Sequence, residues 1–167
     1  MRLIDYANPT RFLGLVAKFL PWLAAVINAI GQNNVRLTGK GVLDGDGSFW
    51  WRKYWGEDRK GGMRADYEKR GLRWAADFDC RRPPAVLFKD CEQVAVEGVT
   101  IQRSPFWTLH LLYCARVTVD GVTIRNNIGG YGPSSDGIDV DSSRDVLIQN
   151  CDIECYDANI CLKSGRA

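Results

Sequence analysis

Val94-Ala-Val-Glu-Gly-Val-Thr-Ile101 recurs as Val117-Thr-Val-Asp-Gly-Val-Thr-Ile124 and again as Val146-Leu-Ile-Gln-Asn-Cys-Asp-Ile153. The first two copies are 23 residues apart and the third follows after 29. A weaker copy, Val35-Arg-Leu-Thr-Gly39, lies nearer the N-terminus. Each reads apolar-x-apolar-x-turn-apolar-x-apolar, and alternation at period two marks a strand with one face buried. The turn position holds Gly98, Gly121 and Asn150. Glycine takes positive φ without steric cost, and Asn is its commonest substitute there. Each copy therefore predicts two short strands joined by a one-residue corner. A unit of this length predicts one coil of a right-handed parallel β-helix, an all-β solenoid. A leucine-rich repeat would need a Leu-dominated consensus and a helical half-repeat, and neither is present.

The cysteines agree with stacked coils. Cys91 and Cys114 are also 23 residues apart, each three residues before its strand, and Cys151 takes the inward place of Val99 and Val122. The six cysteines include no CxxC pair, and the single His110 cannot complete a Cys/His zinc set. Buried Cys acting as a small hydrophobe is the favoured reading, with one disulfide among Cys151, Cys155 and Cys161 left open.

Length and composition are those of one ordinary globular domain, and a net charge of +2 singles out no partner. Charge is unevenly placed, however. Residues 49–83 carry ten Lys/Arg against six Asp/Glu and include Trp50, Trp51, Trp55 and Trp74. This basic aromatic insertion could grip single-stranded nucleic acid by stacking and charge, or an acidic sugar polymer. The plainer reading is a solvated, partly helical loop whose tryptophans pack on the coils. Before it, residues 12–30 are strongly apolar and close to the length of a membrane span. Lys18 and Pro21 interrupt that run, and Asp5 spoils the basic start of a signal peptide. Residues 1–33 are expected to be a packed cap or degraded coil, with the partial β-helix in 34–167.

Asp136 and Asp157 are 21 residues apart, close to one coil. Adjacent coils are about 4.8 Å apart, so the repeat returns a carboxylate to the same edge one turn later. Glycoside hydrolysis needs one protonated carboxyl to release the leaving oxygen and one ionised carboxylate to activate water or attack. Crowding two carboxylates raises the pKa of one of them. The plainer reading makes Asp136, Asp139 and Asp141 a solvated turn network. Their oxygens also suit calcium, but the spacing is not that of an EF-hand loop, and neither metal nor cofactor is expected. His110, beside Trp107 and Leu109, either lines the cleft one coil before Asp136 or is simply packed.

Together these segments resemble family 28 of the glycoside hydrolases, the polygalacturonase family, from about Trp22 to Arg166. Gly39-x-Gly-Val-Leu-Asp-Gly-Asp-Gly47 followed by Trp50-Trp51-x-x-Tyr54-Trp55 is similar to the early coil of bacterial members, and Ser104-Pro-Phe-Trp-Thr-Leu-His110 to a segment they carry. Ser134-Ser-Asp-Gly-Ile-Asp139 resembles the family's Asn-Thr-Asp-Gly motif, and Cys155-Tyr-Asp-Ala-Asn-Ile-Cys-Leu-Lys163 its Gly-Asp-Asp or Asn-Asp-Asp motif. The resemblance implies a truncated pectin-lyase-like solenoid that cuts galacturonosyl bonds with inversion. By position, Asp136 would be the water-activating base and Asp157 the general acid, with Asp139, His110 and Lys163 supporting the site or binding substrate. It further implies an acidic polysaccharide as partner, rather than nucleic acid or membrane, and a monomer outside the cytoplasm. Two departures stand out. Ala158 replaces the second Asp of the family's pair, and the chain stops at Ala167 before the family's Gly-His-Gly and Arg-x-Lys motifs. A fragment or weakened copy is therefore expected. A calcium-dependent pectate-lyase-like enzyme and an inactive polysaccharide-binding β-helix are the rival readings.

Overall fold

The computed structural model describes residues 25–73, 75–129 and 131–164. The expectations for residues 1–24 and for Trp74 lie outside the described residues. Among the described residues thirteen strands form three sheets. The first contains β1 (Ile27–Ile30), β4 (Val86–Lys89), β7 (Leu109–Leu112), β10 (Ile138–Asp141) and β13 (Ile160–Lys163). The second contains β2 (Asn33–Thr38), β5 (Glu92–Glu97), β8 (Ala115–Asp120) and β11 (Arg144–Gln149). The third contains β3 (Val42–Asp44), β6 (Thr100–Gln102), β9 (Thr123–Arg125) and β12 (Asp152–Glu154). Every pairing is parallel, as a coil laid on a coil requires. The fold is the parallel β-helix that the repeat predicts.

The repeat copies stack as aligned. Val35, Val94, Val117 and Val146 form one inward row, and Leu37, Val96, Val119 and Ile148 the next. Leu43, Ile101, Ile124 and Ile153 form a third. Gly98, Gly121 and Asn150 turn the chain at φ 70°, 61° and 53°. The middle residues of each row are buried, while the outer ones, such as Val35 and Val146, are only partly so.

Each repeat copy forms the two strands it predicts, and each coil adds a third outside the repeat. The extra strand, Val86-Leu-Phe-Lys89 in one coil and Leu109-His-Leu-Leu112 in the next, has three of its four residues buried. Covered on both faces, Val86-Leu-Phe of β4 shows no alternation to detect. Cys91 and Cys114 do stack. Residues Glu92 and Ala115 are register partners, and each thiol donates to a backbone carbonyl, Cys91 to Ala29 O and Cys114 to Phe88 O, both at 3.3 Å. All six cysteines are free, so the disulfide left open by the sequence is not formed.

Between β3 and β4 the basic aromatic insertion folds into three helices, α1 (Gly47–Trp55), α2 (Gly62–Lys69) and α3 (Ala75–Asp79). Trp51 is buried against the coils, and its indole N–H donates to Ser104 O (3.1 Å). Tyr54, Ala76 and Cys80 form a small core of the insertion's own. Among the described residues no helix is long and apolar enough to cross a membrane, and the end of the apolar run is strand β1, paired with β4.

Candidate active site

Alternation in the first sheet sends Val86, Phe88, Leu109, Leu111, Ile138 and Val140 into the core. Their neighbours face outward. One outward row reads Leu87, His110, Asp139 and Cys161, and the next reads Lys89, Leu112, Asp141 and Lys163. Asp136 precedes β10 and Asp157 precedes β13, so both predicted carboxylates stand at the entry to this sheet.

Lys163 organises the site. Its ammonium lies 3.0 Å from Asp136 Oδ2 and 2.8 Å from Asp139 Oδ1, and it caps the face of Trp107 at 4.3 Å. Burial opposes that charge, but Asp139 and Asp136 outweigh it and hold the ammonium above its ordinary pKa. Asp139 is fully buried, and its contact with Lys163 is an ionic approach rather than a directed hydrogen bond. Burial first, and then the charge of Asp136, push the Asp139 carboxyl up to about 8, against the pull of Lys163. One cation thus faces two carboxylates.

A raised carboxyl pKa has a definite sign. The unfolded chain releases the Asp139 proton near 3.8 and the folded chain holds it to about 8. Its stabilising contribution is therefore full below about pH 4 and is lost as pH rises towards 8. Asp139→Asn is expected to melt like the parent at pH 4 and to be more stable than it at pH 8, by on the order of 1 kcal/mol or more. Melting temperatures of both proteins across that range check this.

Register refines the carboxylate pairing. Ile138 pairs with Ile160, and Gly137 N–H donates to Ala158 O (2.9 Å). Ala158, rather than Asp157, is therefore the ladder neighbour of Asp136. Asp157 lies one residue upstream, exposed, with its Oδ1 accepting from Ala158 N–H (3.1 Å). Burial of part of the group, and then the charge of Asp136, hold Asp157 above the usual carboxylate range. His110 does not reach Asp136. Its Nε2 lies 3.3 Å from Asp141 Oδ2, and its ring meets Trp107 edge-on at 5.0 Å. Burial keeps its pKa down despite Asp141. Asp136, Asp139 and Cys161 bring ligand atoms within 4.8 Å of one another. The Lys163 ammonium already stands between the two carboxylates, so a divalent cation there would have to displace it.

Two supports escaped the sequence reading. Asn126 is fully buried, and its Oδ1 accepts from Ser104 N–H (2.9 Å). Its Nδ2 donates to Thr108 Oγ1 and to Ser135 O (3.2 Å). It thereby ties three chain segments together next to Asp136. Asn126→Ala is expected to cost about 1–3 kcal/mol for each buried partner left unpaired, read as a shift in urea midpoint. The other support is Arg82, whose side chain is fully buried. It donates to Asp77 Oδ1 (2.9 Å), Cys80 O (3.1 Å) and Pro133 O, between the rings of Tyr54 and Phe106. Ser134 Oγ also donates to Asp77. The helical insertion thus braces the loop that delivers Asp136. Neither residue belongs to a repeat or motif, so only the three-dimensional contacts reveal them.

Comparisons with known proteins agree with this architecture. The chain is 31% identical over 129 residues to a probable polygalacturonase of Arabidopsis thaliana, a match covering 77% of this chain and 22% of that protein. An exopolygalacturonase from Thermotoga maritima superposes with a TM-score of 0.67 at 30% identity, over 86% of this chain and 35% of that one. A family 28 exopolygalacturonase of Yersinia enterocolitica has the same fold at 20% identity, with a TM-score of 0.62 over 83% of this chain and 29% of that one. The chain spans about a quarter of the length of the first curated relatives that it matches. The model of glycosyl hydrolases family 28 matches residues 21–167, and the chain belongs to that family.

Proposed function

We propose that this chain carries the acid–base edge of a pectin-degrading glycoside hydrolase and cleaves galacturonosyl linkages with inversion, weakly. Asp157 is the general acid and Asp136 the base that activates water. The observation that carries this reading is the placement of Asp136 and Asp157 on adjacent coils at the entry to one sheet, where partial burial and the Asp136 charge also hold Asp157 above the usual carboxylate range. Inverting hydrolysis requires an acid carboxyl paired with a second carboxyl that activates water. Lys163 and Asp139 hold Asp136 in place, and Lys163 offers its cation on the Trp107 face. His110 supports the sheet through Asp141. The polygalacturonases among its relatives support a polygalacturonate-like substrate. Ala158 supports the weakness, because the ladder position beside Asp136 has no carboxylate to share the activation of water. It also favours, as the second reading, a β-helix that binds acidic polysaccharide without turnover.

A reducing-end assay on polygalacturonate tests the proposal. The expected result is slow release, reduced by about 10²-fold or more in Asp157→Asn. Binding without release would favour the second reading. Robust hydrolysis that survives Asp157→Asn would overturn the assignment. An unsaturated, ultraviolet-absorbing product would point instead to a lyase.

A further inference from the structure

A cleft of about 280 Å³ opens where α1 meets the loop before β10, lined by Trp51, Arg52, Trp55, Glu57, Arg59 and Tyr131. That volume is near the lower end for small-molecule sites, which run from about 300 Å³ upwards, and it suits one sugar ring. The wall is aromatic. Trp55 donates its indole N–H to Tyr131 O (2.9 Å), and the two rings meet edge-on at 6.2 Å. Tyr131 is 6.1 Å from Tyr156, the residue before Asp157, and both tyrosines are exposed. A continuous aromatic surface therefore leads from the proposed acid into the cleft.

Two guanidinium groups stand at this surface. Arg59 is presented by a tightly folded turn. Asp58 Oδ1 accepts from the N–H groups of Lys60 and Gly61, both at 3.0 Å. A Cβ on Gly62 would come within 2.3 Å of Gly56 N, so the two limbs of the turn are in close backbone contact. Arg59 itself has φ 60°, a strained conformation for a side chain of its size. Its guanidinium lies over the Tyr131 ring at 4.3 Å and donates to Gly129 O (3.2 Å). Among the described residues no carboxylate is in ion-pair reach of Arg59. Arg52 has a loose partner in Glu57 at 3.6 Å, whose side chain is 87% exposed and can yield it. Exposed pairs of this kind are weak.

We infer that this cleft is a uronate-selecting subsite, in which the aromatic wall takes the sugar face and Arg52 and Arg59 take its carboxylate. The inference rests on the function proposed above and deepens it. Selection for the acid over its methyl ester would be set here, on the helical insertion, at a distance from the carboxylates that do the chemistry. Arginine suits the task because its planar fork meets a carboxylate with two parallel hydrogen bonds.

The test is a titration of the whole chain by tryptophan fluorescence with trigalacturonate, its methyl ester and a single-stranded thymidylate oligomer, at low and moderate salt. Trigalacturonate should bind more tightly than the ester, and salt should narrow the gap. Arg52→Gln should weaken the acid by roughly tenfold, the loss of a charge-assisted hydrogen bond, and leave the ester unchanged. Arg59→Gln should act in the same direction. Should it loosen the turn, Arg52→Gln, whose side chain is half in solvent, still decides the matter. Equal binding of trigalacturonate by parent and Arg52→Gln overturns the subsite while leaving the hydrolase reading intact. Thymidylate bound as tightly as trigalacturonate also overturns it. No uronate binding by the parent overturns both.

Discussion

Gly137→Ala is expected to destabilise the protein by about 3 kcal/mol or more and to loosen the coil that carries β13 first. A Cβ at this position would lie 2.4 Å from Asn159 O and 2.6 Å from Ile153 Cγ2. The first contact is backbone, which cannot rotate away, and it belongs to the ladder in which Gly137 N–H and Ile138 N–H donate to Ala158 O and Asn159 O. Relief requires β13 to move off β10, and that movement separates Asp136 from Lys163. The glycine after Asp136 is therefore needed for close approach and not for an unusual φ. Urea unfolding followed by far-ultraviolet circular dichroism measures the loss. A midpoint equal to that of the parent would show that this coil yields without cost.

Arg82→Met is expected to be nearly as damaging, by about 3–5 kcal/mol, the usual cost of removing one partner from a buried ion pair. Methionine fills much of the volume between Tyr54 and Phe106 but donates nothing. Asp77, Cys80 O and Pro133 O would lose their shared donor. Arg82→Lys is expected to recover little, since one ammonium cannot reproduce a planar fork with three separate acceptors. Adding Asp77→Asn to Arg82→Met should recover part of the loss, because the orphaned charge is then gone. Thermal melts of the parent, Arg82→Met, Asp77→Asn and the double variant test this as a double-mutant cycle.

Much of the fold was legible because a solenoid writes its register into its repeat. Val94, Val117 and Val146 could be stacked on paper, and so could the left-handed corners at Gly98, Gly121 and Asn150, since both follow from local rules of alternation and φ. The extra strand of each coil was not legible. In β4 the outward Leu87 is buried and apolar like the inward Val86 and Phe88, so the period-two signal is lost there. For the site, the general edge was readable but its pairing was not. A 21-residue spacing pointed to Asp157 as the neighbour of Asp136, whereas Ile138 pairs with Ile160 and places Ala158 there. Asn126 and Arg82 were invisible for a different reason: their partners are backbone carbonyls, amides and side chains far along the chain, and no local pattern records them.

The Lys163 bridge has a kinetic consequence. A stack of coils contacts only its neighbours, so one coil can part from the next without disturbing the rest. Lys163, on β13, reaches back one coil to Asp136 and Asp139 on or beside β10. The ion pair therefore acts as a latch across two coils. Amide exchange in Ile160–Lys163 would report whether the latch is shut, and it would slow whenever a ligand reinforces it.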